Sequence, residues 1–217
     1  MNIEETIRSV QAALGLTVDG KPGPQTWGAI RAFVIDKKTA TKIKGMGEAL
    51  VLDGGLVDSR SEKNIASLLP KVRPFARALV SAAASLGIII KVISGTRSLA
   101  EQAELFEKFK AGGPLAAPPG RSNHNYGIAF DVGVFVGSLD AEQAKNYQPE
   151  SAAYDVVGTL AGGIGLTWGG HWITSKDKPH YELRPDWAMD LSESQMIDEL
   201  ARRQLAAIDL FAPATPA

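Results

Sequence analysis

No cysteine occurs in the 217 residues. That absence excludes disulfides, thiolate metal sites and a cysteine nucleophile together, and it says little about compartment. Histidine is nearly absent too, at three residues, so each one is worth following. Charge is balanced: 23 Lys and Arg against 24 Asp and Glu give a formal net charge of −1. Such a chain has no global basic field for nucleic acid or an anionic membrane, and neither partner is expected. Long hydrophobic runs are missing. The longest, around Leu86 to Ile93, is far too short to cross a bilayer. The start, MNIEETIRSV, lacks the basic patch and apolar run of a signal peptide, so a cytoplasmic origin is expected. What remains is an ordinary globular composition, 45% hydrophobic and 22% charged, long enough for a medium domain and a small one.

Ile3, Ile7, Val10 and Leu14 have the spacing of one helix face. Asp19-Gly20 and Pro22-Gly23 mark turns, and Pro24 opens a second helix whose inward side is Trp27, Ile30 and Phe33 or Val34. Periodicity alone leaves this unit open, either as a helical hairpin on the main domain or as a small separate module. Residues 37–57, with clustered lysines and then glycines, read as a linker. From residue 58 onward helices and short strands interleave. Helices are expected over 74–86, 99–110, 151–163 and 192–211, and strands over 88–94, 127–135, 166–173 and 179–183, before a frayed tail. Short strands joined by hairpin-like turns favour α+β, with a mainly antiparallel sheet flanked by helices, over a doubly wound fold.

The stretch RSNHNYGIAFDVG, residues 121–133, carries chemistry into what looks like core. Ile128, Phe130, Val132 and Val134 form one face of the strand, and Gly127, Ala129, Asp131 and Gly133 the other. Asp131 therefore stands on a face kept nearly bare, and His124 can curl back over it. In SKDKPHYELRP, His180 and Glu182 share one parity of a short strand, with Asp177 three residues before His180. If the two strands pair, His124, Asp131 and His180 make two imidazoles and a carboxylate, the ligand set of a catalytic zinc with one position open to water. Asp177 would stand by as a general base. Spacing also allows structural histidines, or a non-haem iron. Iron oxygenases usually keep the first histidine and the acid two apart, whereas here they are seven apart. A Ser122–His124–Asp131 triad lacks a nucleophile elbow, no acid pair frames a glycosidase cleft, and AGGIG and WGGH lack the lysine of a phosphate loop.

Ser122 to Asp131 in the order S-x-H-x-x-G-x-A-x-D, followed by D-x-x-H at Asp177 to His180, resembles the zinc D-Ala-D-Ala and L-Ala-D-Glu peptidase family. That family includes vancomycin-resistance D,D-peptidases of the VanY type and phage endolysins. SGTRSLAEQAELF and GLTWGGHW extend the likeness over about residues 58–185. The resemblance implies zinc held by His124, Asp131 and His180, with Asp177 as catalytic base. It further implies Arg97 on a substrate carboxylate or the developing oxyanion, and Gln102 and Ser122 on the substrate side. His171 occupies a turn position where relatives often have an acid. V-Q-x-x-L-G…V-D-G-x-x-G-P-x-T, from Val10 to Thr26, resembles the small peptidoglycan-binding domain. Together these imply residues 1–36 as a wall-binding domain, 37–57 as linker and 58–217 as a peptidase domain. The expected protein is a monomeric endolysin that cuts the L-Ala-D-Glu bond of bacterial peptidoglycan, held in the host cytoplasm until a holin releases it. The alternatives are a D-Ala-D-Ala carboxypeptidase of the same family or a wall-binding protein without activity.

Overall fold

A computed structural model of the chain describes residues 3–13, 17–21, 26, 57–136 and 146–213. It divides into two units, residues 1–52 and 53–217. In the first, helix α1 (Ile3–Ala13) has Glu4 and Glu5 in its first turn, where a helix dipole favours acids. Its hub is Gln11, 2% exposed. The Gln11 amide donates to Asp19 Oδ1 at 2.7 Å, Lys21 O at 3.0 Å and Thr26 Oγ1 at 3.1 Å, and its Oε1 accepts from Gly20 N at 2.9 Å. The V-Q…V-D-G…T pattern is therefore a latch that ties the helix to the turn after it. The expected second helix with Trp27, Ile30, Phe33 and Val34 lies outside the described residues, as does nearly all of the expected linker.

The second unit opens with α2 (Ser59–Ser67), a polar helix that its sequence scarcely announces. The Asp58 carboxylate caps it by accepting from Ser61 N at 3.2 Å. Next come α3 (Arg73–Ser85), β1 (Ile89–Ser94) and α4 (Leu99–Lys110), the last with a Ser98/Glu101 capping box. After a 3₁₀ turn at Asn123–Tyr126 follow β2 (Ala129–Val136), β3 (Asn146–Tyr147), α5 (Ala153–Ile164), β4 (Thr167–Trp168), β5 (His180–Glu182) and α6 (Glu193–Leu205). The strands form an antiparallel sheet in the order β1-β2-β5-β4, with β3 pairing on β2. The expected α+β class, with a mainly antiparallel sheet among helices, is the class observed. α2 covers the outer edge of β1. Ser61 Oγ accepts from Val92 N at 2.8 Å, and Asn64 Nδ2 donates to Val92 O at 2.7 Å. A polar helix can thus satisfy an edge that would otherwise be open.

Phe130, Val132 and Val134 of β2 bury their side chains with Leu79, Tyr154, Val157, Trp168 and Tyr181 in the main core. Ile128 was expected on that same face but packs elsewhere, with Tyr126, Met196, Ile197 and Leu200. The cause is Gly127, whose φ of 68° turns the chain just before the strand begins. Two further expectations need correction. The strand expected over 166–173 stops at Trp168 and continues as a 3₁₀ turn, Gly169–His171. The closing helix ends at Leu205 rather than Phe211. Beyond it the chain folds back on Arg203, whose Nη1 donates to Ala212 O at 2.6 Å and whose guanidinium lies 4.4 Å from the Trp187 ring centre. Among the described residues no helix is long and apolar enough to cross a membrane.

Glu199 anchors that last turn, accepting from Arg203 Nε at 2.7 Å and Arg202 Nε at 2.6 Å. Its hydrogen bonds to Arg202 and Arg203 bring its pKa down to about 2, against the mild opposition of burial. A folded-state pKa below the unfolded one gives stability that is present above about pH 4.5 and lost as pH falls towards 2. Glu199→Gln should lower the melting temperature by roughly 2–4 °C at pH 7. Melting curves of the two proteins should draw together between pH 4.5 and pH 2; a gap that stays constant through that range would refute this.

Candidate metal centre

Sheet register places the first two functional groups. Asp131 of β2 pairs with His180 of β5 on one side and with Ser94 of β1 on the other, so the carboxylate and imidazole rise from adjacent strands on one face. His124 comes from the 3₁₀ turn just before β2. The turn after β1 grips it: His124 Nδ1 donates to Gly95 O at 2.8 Å, and its own carbonyl accepts from Arg97 N at 3.0 Å. Asn125 Nδ2 donates to Arg97 O at 3.0 Å, and Tyr126 Oη donates to Gly120 O at 2.7 Å, closing the turn on the loop before it.

Each of the three groups has one face tied and one face free. His124 uses Nδ1 on the backbone, which leaves Nε2 as an acceptor 3.2 Å from Asp131 Oδ1. His180 faces Glu182 Oε2 with Nε2 at 3.1 Å, which leaves Nδ1 3.5 Å from the same Asp131 oxygen. Asp131 accepts from Arg97 Nη2 on Oδ2, which leaves Oδ1. The three free donor atoms lie within 4.8 Å of one another. Tetrahedral zinc with ligands ~2.0–2.1 Å away separates its ligands by roughly 3.3 Å, so these atoms fit around such an ion. The electrostatics agree. Burial disfavours a charged His180, yet hydrogen bonds to Asp131 and Glu182 outweigh it and push the imidazole up to about 10. Burial likewise acts to raise Asp131, but His124 and His180 hold it well below the ordinary carboxylate range. Two carboxylates around one imidazole favour positive charge in this pocket.

Asp177 lies on the turn that leads into β5. Its carboxyl is raised above the ordinary value by burial and by the charge of Asp131, with His180, His124 and Arg97 pulling the other way. It therefore shares the field of the centre. Gly169 lets that turn come close, because a Cβ there would sit 2.6 Å from Asp177 O and 3.0 Å from His180 Cβ. Trp168 Nε1 donates to Lys178 O at 2.8 Å, so the W-G-G segment acts as scaffold for the D-x-x-H turn. Trp172 lies over His180, with ring centres 4.8 Å apart. His171 is exposed and packs edge-on against Trp168, away from the donor set.

Other residues flagged in the sequence sit differently. Arg97 holds the ligand side of the site, with Nη2 on Asp131 and Nε on Ser94 Oγ at 3.1 Å. Gln102 is 1% exposed and donates to Ala117 O at 2.8 Å, which places it inside the wall of the 111–121 loop. Ser122 is the half-buried residue that opens the 3₁₀ turn, and its carbonyl accepts from Asn125 N at 2.9 Å. Sequence reasoning missed the support behind His180. Glu182 is fully buried, and its Oε2 also accepts from Asn123 Nδ2. Asn123 donates again to Glu193 Oε1 at 2.6 Å, and Arg184 Nη1 lies 3.1 Å from Glu193 Oε2. Only the shared parity of Glu182 and His180 hinted at this.

Residues 116–183, which contain the whole donor set, match the family model described as D-alanyl-D-alanine carboxypeptidase. Residues 2–30 match a peptidoglycan binding domain. Over 126 residues the chain is 39% identical to the peptidoglycan L-alanyl-D-glutamate endopeptidase CwlK of Bacillus subtilis (strain 168), covering 55% of this chain and 75% of that protein. The chain belongs to the M15 peptidase family. It is thus a member of a metallopeptidase family, with a peptidoglycan-binding region ahead of the peptidase unit. Similar solved structures include the L-Ala D-Glu endopeptidase ChiX of Serratia marcescens, with TM-score 0.45 and 24% identity over 58% of this chain and 86% of that one. Another is the vancomycin resistance D,D-pentapeptidase VanY in complex with Zn(II), with TM-score 0.42 and 19% identity over 66% of this chain and 81% of that one.

In this peptidase Glu182 orients a ligand candidate from behind, through the His180 ring nitrogen that does not face the other donors. Glu182→Gln should weaken zinc binding by about 10- to 100-fold while the fold persists, the usual effect of losing a carboxylate behind a metal-binding histidine. Chelator competition checks this, and wild-type affinity in the variant would remove Glu182 from the account.

Proposed function

We propose that the protein is a zinc-dependent endopeptidase that cuts the L-Ala-D-Glu bond in the stem peptides of bacterial peptidoglycan. The observation that carries this reading is the convergence of three free donor atoms, from His124, Asp131 and His180, beside a carboxylate raised by its surroundings. Zinc held there would polarise the scissile carbonyl and make an adjacent water acidic enough to attack near neutral pH. The chain's own residues then do the proton work. Asp177, the candidate base, takes the proton from the attacking water and passes it to the leaving amine. Its raised pKa suits both halves of that task, since a carboxyl that holds its proton more tightly is a better base and remains able to give the proton back. Arg97 fixes Asp131 and, with a side chain 23% exposed, brings positive charge to the rim. A substrate carboxylate and a developing oxyanion would both find it there.

The choice of bond rests on two supports. The 39% identical Bacillus protein is named as an L-alanyl-D-glutamate endopeptidase. The base candidate also sits in D-x-x-H, as in endolysins of this family, where the vancomycin-resistance dipeptidases resemble E-x-x-H. The peptidoglycan-binding region, residues 2–30, suits an enzyme that works on intact polymer, and we read the pair as a wall-degrading enzyme of endolysin type.

His124→Ala, Asp131→Ala and His180→Ala should each abolish stoichiometric zinc and activity together. Asp177→Asn keeps the shape but cannot take a proton. It should retain zinc and lose activity by ~10²-fold or more. Elemental analysis beside turnover separates the two classes, and full zinc in any of the alanine variants would strike that residue from the ligand set.

Digestion of purified sacculi decides the bond. Mass spectrometry should find peptides with new D-Glu amino termini and L-Ala left on muramic acid. Free D-alanine with intact stems would instead make the enzyme a D-Ala-D-Ala carboxypeptidase, the activity in the description of the matched family model.

A further inference from the structure

We propose that Glu193, in the first turn of α6, is a positioning residue for His180, acting through Asn123 and Glu182. The inference rests on the zinc reading above and extends the site to the closing helix. Asn123 Nδ2 carries two hydrogens, and both go to carboxylates: one to Glu182 Oε2, the other to Glu193 Oε1 at 2.6 Å. The Glu182 oxygen is the same one that faces His180 Nε2 at 3.1 Å. A second bridge closes the ring, since Arg184 Nη1 lies 3.1 Å from Glu193 Oε2 and 3.5 Å from Glu182 Oε1. Asn123 and His180 thus hold Glu182 at Oε2, while its Oε1 has no hydrogen-bond partner and takes the charge of Arg184 from 3.5 Å.

Asn123 is itself 4% exposed, and its Oδ1 has no hydrogen-bond partner. Turning the amide over would point that oxygen at two carboxylates, so its orientation is fixed by charge. It also immediately precedes His124 in the 3₁₀ turn, so one amide braces the segment that carries one imidazole and the carboxylate behind the other. Without Glu193, one Asn123 hydrogen loses its acceptor and Arg184 loses its stronger partner. Arg184, still tied to Ala188 O and Leu191 O through Nη2, then has Glu182 as its remaining carboxylate and pulls on the group that orients His180. The bland account is that Glu193 merely complements the dipole of α6. Gln195 tests that account, because its capping box with Ser192 steadies the same first turn by a route that does not involve Asn123 or Glu182.

The experiment measures the zinc dissociation constant of the full chain by chelator competition, with the visible spectrum of the Co²⁺-substituted protein as a second readout. Glu193→Ala should weaken zinc roughly tenfold and shift the cobalt bands. Glu193→Gln, which keeps an acceptor for Asn123, should recover most of the affinity. Gln195→Ala should lower the melting temperature and leave zinc affinity unchanged. In a Glu182→Gln background, Glu193→Ala should add little, because both changes act on one path. Should Glu193→Ala fail to fold, Glu193→Asp, with its carboxylate drawn back from Asn123, carries the same expectation. Wild-type affinity in Glu193→Ala, a loss in Glu193→Gln as large as in Glu193→Ala, an equal loss in Gln195→Ala, or a full additional loss in the Glu182→Gln background would each overturn the proposal. Wild-type protein that bound no zinc would overturn the metal reading itself, and the unmutated control distinguishes that result.

Discussion

Everything at the centre depends on one register, the pairing of Asp131 with His180 across β2 and β5. Side chains alternate along a strand, so a slip of one residue would carry His180 to the core face and bring Tyr181 out in its place. The core resists that slip. Phe130 of β2 and Tyr181 of β5 are paired neighbours, both fully buried and stacked at 5.9 Å, and they lock the opposite face of the same two strands. Chemistry on one side of the sheet is therefore fixed by hydrophobic packing on the other.

The charge arrangement around that register would be costly if it were empty of compensation. Asp131 and Glu182 are nearly or wholly removed from solvent, and burying a carboxylate costs several kcal/mol unless partners replace its water. Each carboxylate has several. Arg97 and His124 meet Asp131, while Asn123, Arg184 and His180 meet Glu182. Each histidine is oriented from behind by an acceptor, a backbone carbonyl for one and a carboxylate for the other. A neutral imidazole held in a single tautomer presents one lone pair in one direction, which a metal site requires.

Much of this could be read from the chain. The helix expected over 99–110 spans those residues, because Ser98 and Glu101 form a capping box and Gly112-Gly113 follow its end. The alternation around Asp131 and the shared parity of His180 and Glu182 placed these groups on one face, where the sheet register brings Asp131 and His180 together. Three features were illegible for physical reasons. α2 carries too few apolar residues to show a period, since its task is polar, satisfying the β1 edge through Ser61 and Asn64. The glycines of W-G-G mark a turn, but where the strand expected over 166–173 gives way to it is set by a close approach to the 177–180 turn that only the folded chain reveals. Glu193 lies far along the chain from Asn123 and looks, in sequence, like any acid in a first helical turn.

β5 lies inside the sheet, between β2 and β4, yet it comes last in chain order among the described strands. A chain still lacking it has two unsatisfied strand edges where the middle of the sheet should be. Closing that gap is a long-range event, and loop-closure entropy makes such events slow. The metal centre therefore has no partly assembled form of the same affinity. Two of its three donors can be in place early, but the third arrives only with the strand that completes the sheet. Zinc would then bind the finished fold in preference to everything before it, and by mass action would hold the last strand in. An ion held by these three donors would thus double as the bolt on the sheet, and losing it would loosen the molecule from the inside rather than from its edges.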